Sequence, residues 1–99
     1  MSAEASRLNV TVKTFADFRE ILGKELVMSI PDGETVRGLL QKLGNGNTAF
    51  LSRVLGSDGN LRPAINILQN GRNILSLHGI ETRLAEGDVI SIFPPVAGG

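Results

Sequence analysis

From Leu8 onward apolar and polar residues alternate, with Leu8, Val10 and Val12 set against Asn9, Thr11 and Lys13. That is the period of a strand with one buried face. Between Phe15 and Leu22 the spacing changes: Phe18, Ile21 and Leu22 fall at helical intervals before Gly23, which predicts a short helical turn stopped by a residue that accepts positive φ. Leu26 to Ile30 is a short apolar run closed by Pro31-Asp32-Gly33, a second strand returning beside the first and ending in turn chemistry. Thr35 then stands as an N-cap before Val36, Leu39, Leu40 and Leu43, whose i, i+3, i+4, i+7 spacing marks the principal helix, ending at Gly44. After the break Gly44-Asn45-Gly46-Asn47, the residues Phe50, Leu51, Val54 and Leu55 predict another helical turn that ends at Gly56. Ala64 to Gln69 reads as a strand, Asn70-Gly71 as a two-residue hairpin and Arg72 to Ile74 as its return, because both hairpin positions tolerate positive φ. Val89 to Phe93 is the last strand, and Pro94-Pro95 forbids further pairing.

The order is strand, strand, long helix, strands, final strand. A mixed sheet packed on one main helix satisfies it, with the first and last strands parallel because the helix supplies the crossover. The expected fold class is therefore α+β, a ubiquitin-like β-grasp spanning residues 8–93. Residues 1–7 form an expected flexible arm, and residues 94–99 an extended tail.

Composition narrows the function. The 99 residues suffice for one domain with its own core. Ten basic and ten acidic side chains cancel, so no net field draws the chain to nucleic acid or to a membrane surface. There is no cysteine, which excludes disulfides, thiolate metal sites and chemistry on the protein's own sulfur, and fits a reducing cytoplasm. No secretory pattern precedes Leu8, and no apolar run approaches the roughly 20 residues that span a bilayer. The single histidine, His78, precedes Gly79 in a loop-like stretch and reads as a solvated or backbone-bonded imidazole; alone it makes no catalytic site. The glycine-containing stretches at 44–47, 56–60 and 70–72 lack the spacing of a phosphate cradle. The seven arginines are scattered, which makes no nucleic-acid patch.

The ending Phe93-Pro94-Pro95-Val96-Ala97-Gly98-Gly99 is different. A strand stops, and stiff, then small, then side-chain-free residues follow. Two prolines favour an extended rod, so six residues at about 3.1 Å each reach roughly 18 Å from the body. Gly98 and Gly99 have no β-carbon and fit a channel narrow enough to align an α-carboxylate with a nucleotide phosphate. The carboxylate of Gly99 is then the reactive group: adenylation supplies a leaving group, and a sulfur or nitrogen nucleophile displaces it. Strand parity also turns Val89, Ser91 and Phe93 outward if Ile90 and Ile92 face the core, placing an aromatic ring beside the tail.

The FPPVAGG ending, with Glu86-Gly87-Asp88 and Asn70-Gly71 upstream, resembles the MoaD family of β-grasp sulfur carriers over Leu8 to Gly99. The fold pattern alone also admits the thiamine-pathway carrier ThiS and eukaryotic-type modifiers, which usually lack this whole ending. The resemblance implies that an E1-like enzyme uses ATP to adenylate Gly99, and that a sulfur donor converts it to a thiocarboxylate. It further implies delivery of that sulfur to the large subunit of molybdopterin synthase, for the dithiolene of molybdenum cofactor. No cofactor or metal is implied on this chain, and the catalytic groups are implied on the partner, so the chain itself is not an enzyme. Phe93 and Leu77 match an apolar partner patch of the family, and Pro94, Pro95, Val96 and Ala97 the inserted tail. The extra residues 1–7 and the linker around Gly44 to Gly46 are shared with archaeal small modifier proteins. That likeness implies a second use of the same end: joining to lysines of other proteins, or supplying sulfur for tRNA thiolation.

Overall fold

The computed structural model describes residues 6–95. Strand β1 (Arg7–Thr14) is followed by helix α1 (Asp17–Leu22), strand β2 (Glu25–Pro31), helices α2 (Val36–Leu43) and α3 (Thr48–Val54), strands β3 (Asn66–Gln69) and β4 (Arg72–Asn73), two short 3-10 turns and strand β5 (Val89–Phe93). The sheet runs β2-β1-β5-β3-β4. β1 pairs with β2 antiparallel, with Val10 opposite Met28, and with β5 parallel, with Val12 opposite Ile90. The crossover from the first hairpin to the final strand passes through α2, as the apolar stripe required.

The alternation in β1 holds: Val10 and Val12 are buried, and Asn9 and Lys13 are exposed. Val36, Leu39 and Leu40 of α2 are wholly buried beneath Ile30, Ile67, Ile90 and Ile92 of the sheet. The Thr35 hydroxyl accepts a hydrogen bond from the Gly38 amide, satisfying one donor of the first turn. Residue 44 behaves differently from the usual glycine stop. Its φ is −81°, a right-handed value open to any residue, and the constraint is space: a Cβ there would lie 2.8 Å from Leu51 Cβ. Gly23, by contrast, has φ of 89°, the conformation its position predicted.

Several boundaries moved for local reasons. β1 begins at Arg7, inside the stretch expected as an arm, and the Ser6 carbonyl accepts from Asp32 N–H; positions 1–5 lie outside the described residues. α3 stops at Val54, because Leu55 turns extended and bridges Leu61. β3 starts at Asn66 and not Ala64, since Ile65 N–H is engaged by the Arg62 carbonyl in a turn. β4 keeps two residues, and Ile74 opens a 3-10 turn capped by Asn73, whose side chain accepts from Leu75 N–H.

α1 and α3 are tied beneath the end of the sheet. Phe18 meets Phe50 edge to face at 5.2 Å, Arg53 lies 5.0 Å over the Phe18 ring, and its guanidinium pairs with Asp17 at 2.7 Å. Among the described residues no helix is long and apolar enough to cross a membrane.

Candidate functional site

β5 carries the chain's last segment out of the middle of the sheet, gripped by β1 on one side and β3 on the other. Ile90 and Ile92 point into the core with no exposed surface, so Val89, Ser91 and Phe93 face outward as the parity argument predicted. Phe93 is nevertheless half-buried. The ring of Phe15 lies face to face with it, centroids 4.2 Å apart and planes 9° from parallel. Pro94 beyond it is buried, and Pro95 is exposed. Val96, Ala97, Gly98 and Gly99 lie outside the described residues.

Around this exit Phe15, Ala16, Leu68, Phe93, Pro94 and Pro95 line an apolar groove of about 760 Å³, with Asn66 and Asp17 at its rim. Leu77, expected to share a patch with Phe93, does not line this groove: it is half-buried after the first 3-10 turn and flanks a separate cleft with Gln69, Asn70 and Arg72. Leu68 lines the groove. Its signal was present in the sequence, because Ile65 and Ile67 facing inward force Leu68 outward. Phe15 gave no such signal, since it follows the strand and precedes the helix, and only packing brings it over β5.

The start of β5 is set by a buried carboxylate. Asp88 is 6% exposed. Its Oδ2 accepts from Gln69 Nε2 at 2.7 Å and from Ala85 N–H at 2.8 Å, while Oδ1 accepts from Asn70 Nδ2 at 2.9 Å. Asn70 Oδ1 in turn accepts from Val89 N–H. The hairpin at Asn70-Gly71, with φ of 52° and 87°, is thereby locked to the strand that leads to the tail.

His78 is exposed, and its backbone N–H donates to the Thr82 hydroxyl; its ring enters no constellation. Among the described residues no three His, Asp or Glu side chains are grouped to hold a metal. What the arrangement offers is an exposed Pro95 at the exit of a strand paired on both sides, beside an apolar groove.

The mixed sheet, the helix crossing it and the central final strand define a ubiquitin-like β-grasp protein. More narrowly, the chain belongs to the ThiS family, whose model matches residues 12–99. It is 38% identical to small archaeal modifier protein 3 of Haloferax volcanii, over 93% of this chain and all of that protein. It is 30% identical to the sulfur carrier protein CysO of Mycobacterium tuberculosis, again over 93% of this chain and all of the relative. A solved structure of a putative molybdopterin converting factor, subunit 1, from Pyrococcus furiosus superposes with a TM-score of 0.72 at 33% identity, covering 90% of this chain and 99% of that one. The resemblance to MoaD carriers is thus one to a wider MoaD/ThiS-like family of sulfur carriers and small archaeal modifiers, of which this chain is a member.

Proposed function

We propose that the chain is a sulfur carrier that works through the α-carboxylate of Gly99. An E1-like enzyme binds ATP and joins the carboxylate to AMP, releasing pyrophosphate. A donor at the oxidation level of hydrosulfide then displaces AMP and leaves a thiocarboxylate. The small subunit of molybdopterin synthase is the role that follows, with the large subunit as recipient and its side chains as the catalytic groups. The Pyrococcus furiosus neighbour supports that role. The single observation that carries the reading is the exit of β5: a strand held between two others passes through a buried Pro94 into an exposed Pro95, followed in sequence by Val96, Ala97, Gly98 and Gly99. A carboxylate at the end of such a segment enters a partner's site while the body stays outside.

A second reading is favoured by the identity to a small archaeal modifier protein. In it, a lysine amine of another protein displaces AMP and forms an isopeptide bond to Gly99. Both readings share the activated end and differ in the nucleophile.

Intact-mass measurement of the chain after incubation with ATP, a sulfur donor and a matched E1-like enzyme tests the proposal. A carrier exchanges one terminal oxygen for sulfur; a modifier appears in larger lysine-linked adducts. Deleting Gly99 removes both products. If neither forms with the intact chain, the covalent reading fails.

A further inference from the structure

Phe15 is held from both sides. Before it, Thr14 is buried, with its N–H donating to the Lys24 carbonyl and its hydroxyl to the Gly23 carbonyl. After it, Ala16 is at φ of 55°, a left-handed value that a residue with a β-carbon keeps only when its surroundings impose it. Those surroundings are the Asp17–Arg53 pair at 2.7 Å and Phe18, which is fully buried. The ring so fixed lies flat against Phe93, and the next residue, Pro94, is buried. Pro95 is therefore the first exposed residue after β5.

We infer that Phe15 is a positioning residue for the reaction at Gly99, its stack on Phe93 fixing the direction in which the tail leaves β5. This rests on the proposed reading that Gly99 is the reacting end. The lever arm shows why direction matters. For the extended tail that the two prolines predict, five residues from Pro95 to Gly99 at about 3.1 Å each span roughly 15 Å, so a swing of about 10° at the base displaces the end by roughly 3 Å. Displacement of a reacting atom by about 1 Å can lower a rate by about a hundredfold. An unclamped Phe93 leaves binding of the body intact and misdirects the carboxylate.

The test compares Phe15→Ala and Phe15→Tyr with the native chain. ATP–pyrophosphate exchange is measured against carrier concentration with a matched E1-like enzyme, and residual dipolar couplings are measured at the amides of Phe93 and Val96. Phe15→Ala is expected to lower kcat about 10- to 100-fold with KM changed by less than about threefold, and to uncouple the Val96 amide from the alignment of β5. Phe15→Tyr, which keeps a stacking ring, restores both. A raised KM at unchanged kcat makes Phe15 a docking contact and overturns the inference, as does unchanged exchange. If the amide spectrum shows Phe15→Ala unfolded, Phe15→Leu, which keeps apolar cover without the ring, takes its place. Failure of the native chain to support exchange would sink the proposed function, and the couplings at Val96 would still decide whether the clamp exists.

Discussion

Replacing Asp88 with asparagine changes one atom's worth of shape and reverses the chemistry of a buried site. Every contact the side chain makes is as an acceptor: Gln69 Nε2 and Ala85 N–H reach Oδ2 at 2.7 and 2.8 Å, and Asn70 Nδ2 reaches Oδ1 at 2.9 Å. An amide offers one oxygen and one NH2, so in either orientation a donor faces a donor. With the oxygen turned towards Gln69 and Ala85, the bond to Asn70 is lost and the other two lose their charge assistance. The opposite orientation loses two bonds, one of them to a backbone N–H. Hydrogen bonds to a charged group contribute about 1.5–3 kcal/mol each, and an unsatisfied buried group costs about 1–3. Rehydration of the exposed Asn70 returns part of this, and we expect Asp88→Asn to destabilise the domain by about 2–4 kcal/mol. At about 4–8 °C per kcal/mol for a domain of this size, the midpoint of thermal unfolding falls by roughly 8–32 °C. Urea unfolding followed by circular dichroism gives the free energy, and hydrogen exchange at the Val89 amide reports whether the hairpin has come away from β5. A loss below about 0.5 kcal/mol, the range of an ordinary surface change, with Val89 still protected, would refute the account of Asp88 as the anchor of that strand.

Two glycine substitutions should destabilise for different reasons. At Gly71, with φ of 87° and nothing within 4 Å of an added Cβ, Gly71→Ala should cost about 1–2 kcal/mol through backbone conformation alone. At Gly44, where φ is right-handed and Leu51 Cβ lies 2.8 Å from the added atom, Gly44→Ala should cost about 1–3 kcal/mol by overpacking; Leu51→Ala, which removes the Cδ atoms at 3.1 and 3.2 Å but keeps that Cβ, should relieve only part of it, and full relief in that background would contradict this. Asp58 is held below the ordinary carboxylate range, first by the Asn60 backbone N–H donating to it and then by the Asn60 side chain. Because the folded value is depressed, its contribution to stability is present above the ordinary range and is lost as pH falls through the folded value. An NMR titration that places the Asp58 carboxyl at or above the range of an unstructured aspartate would count against that turn geometry.

The sequence by itself determined the elements and their faces, because the relevant signals are local. Alternation in Leu8–Val12 and the spacing from Val36 to Leu43 set which side chains meet the core, Asn70-Gly71 set the hairpin, and the need for a crossover made β1 and β5 parallel. It also singled out the ending Pro94 to Gly99, whose composition alone suggests an inserted chain end. Tertiary structure decided what depends on residues far apart in sequence. The stack of Phe15 on Phe93 joins positions 78 apart, and no periodicity encodes it. The burial of Pro94 follows from the local packing around that exit and takes it out of the stretch expected to extend beyond the body. Leu77 sits between two 3-10 turns, Ile74–Ser76 and Gly79–Glu81, whose short, mixed sequences carry no clear period. In the sequence Asp88 is one acidic residue beside Gly87, and only the assembled fold, by bringing Gln69, Asn70 and Ala85 around it, makes it a buried acceptor. Patterns of apolar residues report what is hidden from water; which polar or aromatic partners meet there is settled only when the whole chain closes on itself.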